Sequence, residues 1–234
     1  MTARTLLYTT GSPFARAVRI VLDELCLDYE RKEEITTPTV EDRAKATPTL
    51  QVPTFWDGEV HLWESTLIAE YLLSQYDSRV SESPTLVHEI ARQETYWRDR
   101  LILSTIQTLG TAATTISQMK WGGISIGDSE YLQRSAERFP HLFVWLEREL
   151  VSNVEGFFPG CLSVQDIFFT CHVDFIENRP IDLEARLGDV PKLQALVERM
   201  RSRESVKNNP IYWWEPGVTR YEDDGTPIYQ EASP

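Results

Sequence analysis

The apolar positions of this 234-residue chain follow two regimes. Up to residue 77, short strand-like runs alternate with helical stripes. Beyond residue 85 only helical spacing recurs. Leu6, Leu7 and Tyr8 form an apolar run of strand type. Thr9, Thr10 and Gly11 are turn formers. Phe14, Val18, Val21, Leu22 and Leu25 then recur at i, i+4, i+7, i+8 and i+11, which predicts a helix over 13–26 with one buried face. Ser12 stands at its mouth, and Pro13 takes the first helical position, which its fixed φ favours. Residues 28–34, highly charged, read as an edge strand, and 38–46 as a short helix. Asp57-Gly58 between 54–56 and 60–62 predicts a hairpin. Glu64-Ser65 opens a helix that carries Leu67, Ile68, Tyr71 and Leu72. The order is β-α-β-α-β-β-α.

The stretch after residue 77 is polar, with Ser78, Ser81, Ser83 and Pro84, and reads as a linker over 78–84 between a domain at 1–77 and one at 85–234. No strand is expected after it. Residues 85–120 read as one long helix, broken by the glycines of 121–127. A further helix spans 129–153, where Pro140 is expected to kink or split it. Ser163-x-x-Asp166 has the form of a capping box, and Val164, Ile167, Phe168, Cys171 and Phe175 follow at helical spacing. This helix is apolar enough to be the centre of the second domain. Pro191 opens a last helix, and the tail from 208 is expected to wrap on the surface with loose final residues.

Composition narrows the function classes. The formal net charge of −13 excludes a general phosphate-backbone binder, which needs a basic face, and disfavours an anionic membrane surface. No apolar run approaches a membrane span, and the N-terminus does not read as a secretory signal, so the expected location is the cytoplasm. Cys26, Cys161 and Cys171 form no CxxC pair, and the four histidines show no ligand spacing; no metal is expected.

Candidate chemistry sits at Ser12, where a strand delivers a hydroxyl to a helix N-terminus. Backbone N–H groups and the dipole converge there, which suits an anion. A plain N-cap serine is the competing reading. Four places together resemble the cytosolic glutathione transferases: Ser12-Pro13-Phe14 followed by Val18-Arg19, as in the serine-type tau-like and omega-like branches; Val52-Pro53 before the hairpin; Glu64-Ser65 before the third helix; and Ser163-x-x-Asp166-Ile167. The resemblance covers residues 5–205. It implies a thioredoxin-like domain followed by an all-helical one, glutathione as co-substrate, a hydrophobic electrophile as second substrate, and a homodimer.

By this resemblance Ser12 is the catalytic hydrogen-bond donor to the glutathione thiolate. Phe14, Gln51, Val52, Pro53, Glu64 and Ser65 form the glutathione site. A cis Val52-Pro53 bond would present the Val52 backbone to the peptide, whereas a trans proline merely ends a loop. Glu64 and Ser65 would take the γ-glutamyl ammonium and carboxylate, whereas an acidic first helical turn is common in itself. Tyr96, Trp97, Trp121 and Trp213 are candidate walls for the electrophile, with Phe14, Tyr212 and Trp214. Arg98 and Arg100 read as solvated. Gln51 stands where the family usually has lysine; Arg16 and Arg43 are candidates to replace its charge. Serine at position 12 forms no mixed disulfide, which favours conjugation, dehalogenation or isomerisation over reductase chemistry. A non-catalytic ligand-binding or assembly module on the same fold, and a specialised lyase or dehalogenase, are the alternatives.

Overall fold

The computed structural model describes residues 4–34, 39–76, 96–150, 156–158, 161–179, 181–183, 185–211, 218–221 and 227–229. In the first domain, β1 (Arg4–Tyr8) lies between β2 (Glu30–Glu33) and β3 (Thr54–Asp57), and β4 (Val60–Trp63) closes the order β2-β1-β3-β4. β1 and β2 are parallel, so a crossover must join them; α1 (Pro13–Glu24) is that crossover. The β3–β4 pair is the antiparallel hairpin turned by Asp57-Gly58, with Gly58 at φ 61°, a conformation glycine adopts without steric cost. β2 exposes all four of its side chains, as its Glu-Arg-Lys-Glu sequence requires. α2 (Val40–Ala46) and α3 (Ser65–Tyr76) complete the unit.

The second domain contains α4 (Tyr96–Trp121), α5 (Glu130–Glu149), α6 (Val164–Glu177), α7 (Pro191–Ser202) and α8 (Glu204–Lys207). α6 is buried from Val164 to Ile176. Its capping box is formed: Ser163 Oγ accepts from the Asp166 N–H (3.1 Å), while the Asp166 carboxylate accepts from the backbone N–H groups of Ser163 (2.8 Å) and Phe157 (2.9 Å). α6 packs on α1 of the first domain and on α4, so one core runs across both.

Four expectations are corrected. α1 ends at Glu24 rather than at 26, with Leu25 as its cap and Cys26 in the left-handed region at φ 51°. α5 runs unbroken through Pro140. That residue faces solvent, where the carbonyl its ring leaves unpaired can be hydrated. The tail carries a two-stranded antiparallel hairpin, β5 (Val218–Tyr221) and β6 (Pro227–Tyr229), so the second domain is mostly rather than entirely helical. The helix expected over 129–153 closes at Glu149. The linker at 78–84, and the part of the long helix before residue 96, lie outside the described residues.

Candidate functional site

Ser12 is the N-cap of α1. Its backbone is extended (φ −84°, ψ 118°) and its Oγ accepts the Ala15 N–H at 3.2 Å. It is therefore a true cap, but an oxygen that accepts keeps its own proton to donate. The bond it accepts polarises that O–H and strengthens it as a donor.

The hydroxyl opens into a cleft of ≈ 590 Å³ between the two domains, within the range of small-molecule sites. Three first-domain segments wall one side. The β1–α1 turn brings Ser12 and Phe14, the loop before β3 brings Gln51, Val52 and Pro53, and the start of α3 brings Glu64 and Ser65. The Val52-Pro53 peptide bond is cis. Glu64 holds φ 74°, a left-handed conformation that costs a non-glycine residue of order 1–3 kcal/mol and clusters at functional sites. Its carbonyl accepts the Ile68 N–H at 3.0 Å, so α3 begins immediately after it. The first N–H groups of that helix have no intrahelical partner.

The second domain supplies the opposite wall, from α4 and from Phe175 and Arg179 at the end of α6. Trp121 is on it. Tyr96 and Trp97 are not. Tyr96 meets the Trp97 ring edge-on at 5.0 Å. Trp97 is 80% exposed and belongs to a separate groove with Thr66, Glu70, Arg100 and Leu101. It stands about 21 Å up the helix axis from Thr111, one of the α4 residues in the cleft. Trp213, Tyr212 and Trp214 lie outside the described residues. Arg98 is a surface residue paired with Glu149 at 2.8 Å, and Arg100 lies 3.9 Å from Glu70.

The two arginines proposed to replace the missing lysine part company. Arg16 is only 4% exposed. It pairs with Asp174 of α6 and donates to the Asn209 carbonyl at 2.6 Å. Asp174 also accepts from Arg201 at 2.7 Å. Arg16 therefore joins the domains and is withdrawn as a glutathione contact. Arg43 does line the cleft, where it pairs with Glu34. Burial pushes the Glu34 carboxyl up, and the Arg43 charge and hydrogen bond offset only part of that rise.

Sequence reasoning passed over Arg179, Gln107, Thr111, Thr115 and Gln118, all of which line the cleft. The last four recur at i, i+4, i+8 and i+11, a polar stripe that the pattern contained. Arg179 is 6% exposed and donates to the carbonyls of Gly11 (3.3 Å) and Asn178 (3.2 Å). It thereby ties the second domain to the turn that carries Ser12. Below the cleft floor the His172 ring meets Phe14 edge-on at 4.8 Å; burial holds it neutral, its pKa pushed down to about 3.

Residues 6–83 match the family described as glutathione S-transferase, N-terminal domain, and residues 128–208 match glutathione S-transferase, C-terminal domain. The chain belongs to the glutathione S-transferase family. Among curated relatives, glutathione S-transferase sirG of Leptosphaeria maculans is 26% identical over 214 residues, which cover 85% of each chain. Two solved glutathione S-transferases share the fold. One, from Methylobacterium radiotolerans in complex with glutathione sulfonate, has a TM-score of 0.74 at 19% identity, covering 95% of this chain and 99% of that one. The other, from Methylobacillus flagellatus with glutathione bound, has a TM-score of 0.71 at 22% identity, covering 88% and 98%. The four-stranded mixed sheet with its helices is thus the thioredoxin-like domain of this family, and α4–α8 are its helical partner. Among the described residues no cluster of three or more metal-binding side chains occurs, and no described helix is long and apolar enough to cross a membrane.

Proposed function

We propose that this member of the family is a glutathione transferase of the serine type. The observation that carries the reading is the convergence of the Ser12 hydroxyl, the cis Val52-Pro53 loop and the Glu64-Ser65 helix start on one interdomain cleft. Glutathione lies extended along the first-domain wall. Its cysteinyl backbone pairs with Val52 by strand addition. Its γ-glutamyl carboxylate meets the N-terminus of α3 at Ser65, and its ammonium meets Glu64. Arg43 and Gln51 face the glycyl end.

The thiol loses its proton to solvent, and Ser12 donates to the sulfur. A hydrogen bond to a charged acceptor contributes about 1.5–3 kcal/mol, which brings a thiol pKa of about 8.5 to roughly 6.5–7.5. The dipole of α1 acts in the same direction. The thiolate pair then forms the C–S bond at the electrophilic carbon, and the leaving group departs with its own bonding pair. Ser12 is never modified, and no step requires a metal.

The test is turnover of 1-chloro-2,4-dinitrobenzene with glutathione. Ser12→Ala should fall about 10- to 100-fold in kcat/KM near neutral pH, while Ser12→Thr, which keeps cap and donor, retains most activity. Equal rates for wild type and Ser12→Ala would remove Ser12 from the mechanism. Gln51, uncharged and exposed, favours a second reading, a non-catalytic ligand-binding or assembly module on the same fold; no heat of binding in calorimetry at millimolar glutathione would favour that reading over the transferase.

The working form is proposed to be a homodimer. In support, the groove at Trp97 sets apolar Trp97 and Leu101 beside Glu70 and Arg100, a mixed-charge apolar face suited to a twofold contact. A single 27.0 kDa species in sedimentation would refute it. The three cysteines are free thiols, which suits a cytoplasmic location.

A further inference from the structure

The wall that faces the electrophile departs from the apolar surface that the resemblance implies. α4 carries Thr105, Thr108, Thr111, Thr114 and Thr115. Three of them turn their hydroxyls back on their own helix: Thr105 donates to the Leu101 carbonyl (2.8 Å), Thr108 to Ser104 (3.0 Å) and Thr114 to Gly110 (2.9 Å). This is the usual resting place of a helical threonine hydroxyl. Thr111 and Thr115, one turn apart and both lining the cleft, make no side-chain hydrogen bond to any described residue. Gln118 continues the same face of the helix into the cleft. At the other end of the stripe, the Gln107 Nε2 is buried with no acceptor.

Gln107 also borders the groove at Thr66, beside the start of α3, and so belongs to the glutathione end. Thr111, Thr115 and Gln118 run from there along α4 towards Trp121, in the same cleft that Ser12 lines, where the second substrate must sit. Across the cleft from them is Phe14 on the first-domain wall; Phe175 lies on their own side, 5% exposed, with the Arg179 guanidinium over its ring at 5.0 Å. The site is therefore a cleft with Phe14 on one wall and hydrogen-bond donors on the other.

We propose that the electrophile is a carbonyl-bearing molecule, packed against Phe14, whose carbonyl oxygens accept hydrogen bonds from Thr111, Thr115 and Gln118. This rests on the glutathione transferase reading. A wholly apolar electrophile would strip water from all three groups; the threonine hydroxyls could then only turn back on their own helix, and the Gln118 amide, with no such carbonyl to return to, would be covered without a partner, which is costly for a polar group. A carbonyl oxygen replaces the water bond for bond.

The test is calorimetry on the full chain with three ligands. They are glutathione, S-hexylglutathione, and the conjugate of glutathione with N-ethylmaleimide, whose ring bears two carbonyls. Wild type should bind the carbonyl conjugate at least about 10-fold more tightly than the hexyl conjugate. Thr111→Val and Thr115→Val keep the side-chain shape at solvent-accessible positions. Each should reduce that preference about 5- to 10-fold, the equivalent of one hydrogen bond, and Gln118→Leu should reduce it further. Thermal melts confirm that each variant is folded. If glutathione binds but the hexyl conjugate is preferred, or the preference survives all three substitutions, this inference is overturned and the transferase reading stands. If none of the three ligands binds, both are overturned.

Discussion

Gly110→Ala tests how the packing beneath the cleft supports it. Gly110 lies in the middle of α4, where alanine would ordinarily add about 1 kcal/mol of helix stability. Here a Cβ would fall within 2.5 Å of Cε1, Nε2 and Nδ1 of His172, well inside the 3.5–4.0 Å of an ordinary carbon contact. The ring cannot yield easily. It is fully buried, with Phe14 at 4.8 Å and Phe168 at 6.2 Å. Overpacking of this kind costs about 1–3 kcal/mol, and so enclosed a ring places it at the upper end. Subtracting the helix gain leaves a net loss of about 2 kcal/mol, or a fall in Tm of roughly 4–8 °C for a chain of this size. Urea denaturation and a thermal melt measure it. A ring that moves must press on Phe14, so KM for the electrophile should change as well. Because His172 is the cause, Gly110→Ala combined with His172→Ala should destabilise less than the sum of the two single changes, by about 0.5–3 kcal/mol. A Gly110→Ala variant as stable as wild type, or a strictly additive double variant, would refute the reasoning.

Gln51→Lys should tighten glutathione binding by about 0.2–1 kcal/mol, up to roughly fivefold, since an exposed ion pair contributes no more; calorimetry reads it directly. Asp174→Asn should cost about 3–5 kcal/mol in urea unfolding, because it leaves the Arg16 charge buried between the domains without its carboxylate. Burial alone would raise the Glu24 carboxyl, but hydrogen bonds from Arg203 and Ser205 and the Arg203 charge hold it below the ordinary carboxylate range. Glu24 is thus a group depressed on folding. Its stabilisation is complete above the ordinary carboxylate pKa and is lost as pH falls through the lower, folded value. Glu24→Gln should therefore flatten the acid limb of stability against pH, and an unchanged limb in a pH series of melts would contradict that assignment.

Much of the first domain was legible because its signals are local. Asp57-Gly58 can hardly be anything but a hairpin turn, and the Phe14–Leu25 stripe announces a helix, although α1 has more than the one buried face it implies: every residue from Ala15 to Leu22 is buried, because α3, α6 and α8 pack around it. Ser163 and Asp166 cap α6 with one another, so three residues of spacing announce the helix. The misreadings arise where a residue's meaning depends on distant chain. Trp97 looks like a cleft wall by type, but its place near the start of α4 carries it past the cleft. Arg16 looks like a spare cation beside Ser12, yet Asp174, 158 residues on, claims it. Pro140 should break a helix in the interior, and does not where its turn faces water. The cleft's second wall was missed for a different reason. Thr111 and Thr115 are unremarkable by residue type, and only the bonds made by Thr105, Thr108 and Thr114 show them to be different.

The central claim is that the Ser12 hydroxyl holds glutathione as its thiolate. Ultraviolet absorbance of the thiolate, titrated against pH in the enzyme–glutathione complex, tests it without reference to any electrophile. Wild type should show the bound thiol ionising at roughly 6.5–7.5, and Ser12→Ala should return it towards about 8.5, with Ser12→Thr close to wild type. A bound thiol that ionises at the same pH in wild type and in Ser12→Ala would contradict the account.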